Sequence, residues 1–168
     1  DFAGFVASVL KRGVELVQIP STWLAAIDSA HGGKTALNVG SAKNQIGTFY
    51  PASEIIMVRP LLKSQPSDLD IDGLAEMSKM ALLTKKPWGD EFLTSPLKGQ
   101  GLILKYLQNA IDAKWDIVMK DPFEKSGKRR LLNLGHSLAH VIEIQHNLSH
   151  GRAVAFGLHF ALEWSRRK

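Results

Sequence analysis

From Ile71 onward apolar residues recur three and four positions apart, the period of a helix with one buried face. The spacing predicts helices near 70–84, 88–94, 100–119, 129–145 and 151–167, with breaks at Ser126-Gly127 and from Asn147 to His150. The upstream pattern differs. Residues 2–13 read as a helix stopped by Gly13, since glycine suits a helix C-terminus. Val14 to Ile19 alternates apolar and polar positions and ends at Pro20, so it reads as a strand. Ser21 or Thr22 can cap a short helix running to Ala30. A glycine-containing loop from His31 to Gly47 follows, and Thr48-Phe49-Tyr50 and Glu54 to Val58 read as short strand pieces around Pro51. The fold class expected is an α/β part over residues 1–62 followed by an all-α domain over 63–168.

The strands are too few to make their own sheet. A parallel sheet needs neighbouring strands and helices on both faces. The chain therefore reads as beginning inside a fold, with a strand and turn expected upstream of Asp1.

Composition narrows the classes. The 168 residues are 45% hydrophobic and 22% charged, enough apolar content for a folded core. No apolar run nears the roughly 20 residues of a membrane-spanning helix. The first ten residues carry no basic leader ahead of their apolar stretch, which argues against a signal peptide. Cysteine is absent, so any metal must be held by His and carboxylate groups; the same absence suits a cytoplasmic location. The net charge of +5 is concentrated at Lys128-Arg129-Arg130 and Arg166-Arg167-Lys168. Neither cluster is interleaved with the aromatic residues of a base-stacking surface. A solvated face ranks first, a pocket for a small anion second and nucleic-acid binding last.

His136 and His140 lie four apart and share one helix face, a spacing that can bind a divalent metal and that also occurs on ordinary surface helices. His150 could add a ligand from the next helix. Glu76 is a carboxylate on an otherwise apolar helical stretch, costly to bury unless it is coordinated or paired, for instance with Lys79 three residues on. A second signal runs from Asp28 to Thr35. It ends in Gly-Lys-Thr like a phosphate-binding loop, but Asp28 stands where that motif needs its first glycine, so an ATPase is rejected. Gly32-Gly33-Lys34 still suits a backbone that approaches an anion closely, and Lys43-Asn44 adds a charge and an amide nearby. A flexible solvent loop is the simpler reading of that run taken alone.

Taken in order, Arg12-Gly13, Pro20-Ser21-Thr22, Asp28-Ser29, Gly32-Gly33-Lys34-Thr35, Lys43-Asn44, Ile46-Gly47 and Phe49-Tyr50 resemble the 3-dehydroquinate synthase family of sugar phosphate cyclases. So do Gly73-Leu74-Ala75-Glu76, Lys79, Lys114, Arg129, Leu131-Leu132-Asn133, Gly135-His136, His140 and His150-Gly151. The resemblance implies that residues 1–62 are part of a Rossmann-like NAD-binding domain and that 63–168 bind metal and substrate. Glu76, His136 and His150 would be the metal ligands, for zinc or cobalt. Lys79, Lys114, Arg129, Asn133 and His140 would be catalytic, and Arg12, Asp28, Lys34 and Asn44 would bind substrate. Asp1, Ser21, Thr22, Asp28, Lys43 and Asn44 would face NAD. Arg12 would reach into a partner subunit's site, which implies a homodimer in the cytoplasm, with neither nucleic acid nor membrane as partner.

The implied substrate is 3-deoxy-D-arabino-heptulosonate 7-phosphate. Its carboxylate and phosphate give a lysine- and arginine-rich pocket a use. The implied chemistry is oxidation of an alcohol, β-elimination of phosphate, return of the hydride, ring opening and an aldol closure. The chain departs from the family's pattern in places. Arg152 stands where Glu is usual, Ser21 where Thr is, Ala139 where Gly is and His31 where a β-branched residue is, and one extra residue falls between Lys114 and Arg129. The family's glycine-rich nucleotide turn is expected before Asp1 and a further lysine-bearing segment after Lys168. An inactive relic or interaction module of the family, and a related cyclase making another carbocycle, are the competing readings.

Overall fold

The structure is a computed structural model, and it describes residues 1–40 and 42–167. The first part opens with α1 (Phe2–Val9), which passes into a 3-10 turn at Leu10–Arg12. The predicted 2–13 helix is therefore shorter: Lys11 and Arg12 take positive φ, which a continuing helix does not allow. β1 (Val17–Gln18) pairs in parallel with β4 (Glu54–Ile55), in the register Val17↔Glu54 and Gln18↔Ile55. Both are two-residue remnants of the longer strands expected.

Between them, residues 23–32 are helical, with a π-helical middle over Ala25–Ser29 and a last turn, α2, at Ala30–Gly32. Thr22 caps this helix, its hydroxyl accepting from the Ala25 N–H at 3.2 Å. The segment expected to be a loop is instead an antiparallel hairpin of β2 (Lys34–Val39) and β3 (Ala42–Phe49). Its pairing runs from Lys34↔Phe49 to Val39↔Ala42, with an irregularity between Leu37 and Val39. The glycines and asparagines suggested a loop, yet Thr35, Leu37, Val39, Ile46 and Phe49 supply the β-branched and apolar positions a ladder needs.

The helical part follows. A short helix missed by the apolar period, α3 (Arg59–Lys63), precedes a 3-10 turn at Ser67–Leu69 and then α4 (Asp70–Leu83), α5 (Pro87–Leu93) and α6 (Gly99–Val118). The predicted 129–145 helix is broken: Lys128–Asn133 is a 3-10 turn, Leu134 and Gly135 form a turn, and α7 (His136–His146) begins only after Gly135. Gly135 has φ 79°, which a side chain would resist, so the chain turns sharply and His136 opens a new helix. α8 (His150–Arg166) is the last element described, and no helix among the described residues is long and apolar enough to cross a membrane.

Two cores hold these elements. Trp23 and Ile27 pack with Leu62, Met77, Met80, Phe92, Ile103 and Tyr106, fixing the π-helical segment against α4, α5 and α6. Ala75, Ala139, Ala153, Val154 and Leu158 form a smaller core where α4 meets α7 and α8. Small residues there let three helices approach closely. Asp72 of α4 ties the junction further: its Oδ1 accepts from the Ser149 hydroxyl at 2.8 Å and the Gly151 N–H at 2.9 Å, capping α8 from a neighbouring helix.

Candidate active site

The second core sets the position of Glu76. One residue beyond Ala75 on α4, it is 1% exposed, which places a carboxylate where water cannot solvate it. His136 at the start of α7 and His150 at the start of α8 both turn toward it, with Nε2 atoms 3.6 Å and 3.4 Å from Glu76 Oε1. One ligand-type atom from each of the three lies within 4.8 Å of the other two. Lys79, 2% exposed, places its ammonium on Glu76 Oε2. Even so, neither Glu76 oxygen receives a well-directed hydrogen bond from the described residues. Contact with Glu76 raises the His150 imidazole above its ordinary pKa, against its burial, whereas burial and then Lys79 lower that of His136. One oxygen and two nitrogens converging on a point, around a buried carboxylate short of donors, fit a divalent cation.

Above this cluster opens a cavity of about 640 Å³, within the range of small-molecule sites. Asp28, Lys34, Asn44, Lys79, Lys114, Arg129, Asn133, His136, His140, His150 and Asp1 all line it. The π-helical segment supplies Asp28, the hairpin supplies Lys34 and Asn44, and α6 supplies Lys114. Lys114, 3% exposed, donates to Asp28 Oδ1 at 2.6 Å and to the Asp28 carbonyl. Burial lowers the Lys114 pKa, with Asp28 opposing. Burial also pushes the Asp28 carboxyl up, but Lys114 and then Lys79 reverse this and hold it well below the usual carboxylate range.

Gly32 lies beside both cations: a Cβ there would stand 3.4 Å from Arg129 Nη2 and 3.5 Å from Lys114 Nζ, at ordinary contact distance. Arg129 is 3% exposed; Nη1 donates to the Pro122 carbonyl at 2.6 Å and Nη2 to the Gly32 carbonyl, its guanidinium lies 5.5 Å from the Phe49 ring, and Nε has no partner among the described residues. Asp121 shapes the turn that carries it, accepting from the N–H groups of Lys125 (2.8 Å), Ser126 (3.1 Å) and Arg129 (3.2 Å). Lys34 is ion-paired with Glu124.

Several expectations fall elsewhere. Arg12 is exposed and outside the cavity, and so is Ser21; Thr22 is occupied as a helix cap. Lys43 sits in β3, but its side chain lies outside the described residues. His140 lines the cavity beside His136, ring centroids 5.7 Å apart, without belonging to the converging set. Sequence reasoning passed over Glu143, whose Oε2 is 3.7 Å from His150 Nδ1. The signal was present: Glu143 follows His136 by seven residues, two helical turns along the same face.

Comparison with known proteins adds a name to this geometry. The family model described as "3-dehydroquinate synthase N-terminal" matches residues 1–70, and "3-dehydroquinate synthase C-terminal" matches residues 73–168. A 3-dehydroquinate synthase from Staphylococcus aureus (strain MRSA252) is 40% identical over 166 residues, covering 94% of this chain and 46% of that protein. The chain thus spans about half the length of the curated relatives it matches. The solved structure of a 2-deoxy-scyllo-inosose synthase with carbaglucose-6-phosphate, NAD+ and Co2+ superposes with a TM-score of 0.84 at 29% identity, over 98% of this chain and 47% of that one. That of ValA, a 2-epi-5-epi-valiolone synthase from Streptomyces hygroscopicus subsp. jinggangensis 5008 with NAD+ and Zn2+ bound, gives 0.79 at 27% identity, over 93% and 45%. The fold, the convergent carboxylate and imidazoles, and family matches across both parts make this chain a member of the 3-dehydroquinate synthase family.

Proposed function

We propose that this chain forms the metal- and substrate-holding side of a 3-dehydroquinate synthase, a lyase that converts 3-deoxy-D-arabino-heptulosonate 7-phosphate to 3-dehydroquinate and phosphate. The observation that carries the reading is the convergence of Glu76, His136 and His150 directly beneath a cation-rich cavity. The higher identity to the Staphylococcus aureus synthase, 40% against 29% and 27% for the two other cyclases, favours this substrate over theirs.

In this reading Glu76, His136 and His150 hold a divalent metal, zinc or cobalt, and Asp1, Asp28 and Asn44 face NAD. When bound, the metal polarises the reacting hydroxyl and carbonyl, and NAD takes up and later returns the hydride. The chain's own residues do the rest. Lys79 and Lys114, desolvated at the cavity floor, hold the substrate's anionic groups more firmly than exposed lysines would. Lys34 reaches the same anions after parting from Glu124. Arg129 contributes its unpartnered Nε–H and, through its grip on the Gly32 carbonyl, keeps the anion-facing turn in place. Asn133 and His140 at the rim offer an amide and an imidazole to substrate hydroxyls. Fixed orientation is worth much of the barrier in such a multistep sequence. Exposed Arg12 lies free of this cavity, which suits a homodimer in which it serves the partner's site.

The test is phosphate release from the heptulosonate phosphate by the full-length protein with NAD and zinc. Turnover lost on removing metal, and absent from Glu76→Gln, supports the reading. Release from another sugar phosphate instead would make it a related cyclase, and no release with metal still bound would make it a relic.

A further inference from the structure

The buried His31 touches neither the cavity nor the converging ligand set, yet it is 7% exposed and both ring nitrogens are engaged. Its Nε2 is 2.9 Å from the carbonyl of Ala26, and its Nδ1 is 3.0 Å from the indole Nε1 of Trp115. An indole nitrogen can only donate, so Nδ1 must accept and the proton resides on Nε2, which then donates to Ala26. The tautomer is fixed by its neighbours. The two partners lie on different elements: Ala26 is in the π-helical segment, and Trp115 directly follows Lys114 on α6.

This placement matters because the π-helical segment is a widened one. The Ala30 N–H reaches back five residues to the Ala25 carbonyl, a spacing less stable than an ordinary helical turn and kept only where something holds it. Asp28 sits in that turn, and its carboxylate and carbonyl both receive Lys114. A neutral imidazole that binds the turn at one end and the residue beside Lys114 at the other sets the register between them. We propose that His31 is a positioning residue: through Ala26 and Trp115 it fixes the π-helical turn to α6 so that Asp28 and Lys114 meet in the cavity wall.

The inference rests on the proposed function only in giving that meeting a catalytic use; its geometry is tested apart from activity. In the full-length protein, His31→Leu removes both bonds at similar volume, His31→Asn returns an acceptor near Nδ1, and Trp115→Phe removes the indole donor alone. Acylation of individual lysines by a small amine-reactive anhydride is read by peptide mass spectrometry. His31→Leu and Trp115→Phe should accelerate labelling of Lys114 about ten-fold or more while the equally buried Lys79 stays protected, and His31→Asn should restore part of the protection. His31→Leu should also lower kcat by about 10–100-fold, as expected for a misplaced catalytic group, with metal content unchanged. Unchanged Lys114 labelling, or equal acceleration at Lys79 and Lys114 from general loosening, would overturn the proposal. Absence of turnover in the unmodified protein would defeat the proposed function instead, while the labelling would still decide the role of His31.

Discussion

The backbone of Gly157 on α8 lies against the carbonyl oxygen of Gly135, so closely that a Cβ at residue 157 would overlap it. A Cβ on Gly135 would in turn sit 2.8 Å from the Leu158 nitrogen. This mutual approach seats the start of α7, and with it His136, against α8. Gly157→Ala should cost about 3 kcal/mol by overpacking, and at roughly 2–4 °C per kcal/mol that lowers the melting temperature by about 6–12 °C. Calorimetry would measure it. An unchanged transition would mean that the two helices can part without penalty.

The converging set separates two histidines that spacing alone treats alike. His150→Ala should abolish retention of zinc through dialysis, whereas His140→Ala should keep the metal. Glu143→Gln should weaken zinc affinity by about 10–100-fold, as outer partners of ligating histidines do. Elemental analysis and competitive titration with a chelating dye distinguish these outcomes. Loss of metal from His140→Ala and retention by His150→Ala would reverse the ligand assignment.

Asp121 makes the turn carrying Arg129 sensitive to acid. Burial pushes its carboxyl up, but the N–H groups of Ser126, Arg129 and Lys125 outweigh that and bring it down to about 2. A carboxyl depressed on folding stabilises the protein fully above its ordinary value near ~3.9 and loses that contribution as pH falls through the folded value. Amide exchange at Lys125, Ser126 and Arg129 should therefore rise as pH falls from about 4 toward 2, after correction for intrinsic rates. In Asp121→Asn, protection there should already be low at neutral pH and should lack this acid step. A step persisting in the variant would assign the acid sensitivity to another group.

Removal of the cap that α4 lends to α8 tests how far that junction governs the site. Asp72→Ala should cost about 1–2 kcal/mol in urea unfolding, the usual range for a lost helix cap. Zinc affinity should fall with it, because His150 opens the helix that frays. A variant as stable as the parent would show that Ser149 and Gly151 find water just as readily.

The helical half was legible because its apolar period is long and regular, and the lengths of α4, α6 and α8 follow it closely. The α7 start was not, because Arg129 to Asn133 carry the same period through a stretch that Gly135 then interrupts with a backbone angle no pattern encodes. The hairpin was missed for a related reason. Its glycines and asparagines signal turns locally, while the pairing that makes Thr35 and Thr48 neighbours is set across thirteen residues, with their hydroxyls 2.9 Å apart. Among the site residues, Asp28 and Lys114 are 86 positions apart, and tertiary packing, with Trp23 and Ile27 in the shared core, brings them together. The use of His31 was hidden because its two partners are a carbonyl and an indole, neither of which carries a sequence signature.

The parentage of the cavity wall has a consequence for how such a protein can change. All three converging side chains are borne by helices, while Lys34 and Asn44 belong to a two-stranded ribbon packed on α1 and facing them. Under the proposed function the ion is held from the helices alone, while the cavity's cations come from both sides, Lys79, Lys114 and Arg129 from the helical part and Lys34 from the ribbon. Under that reading, substitutions at Lys34 or Asn44 would change the grip on the bound anion while leaving the three groups around the ion beneath in place.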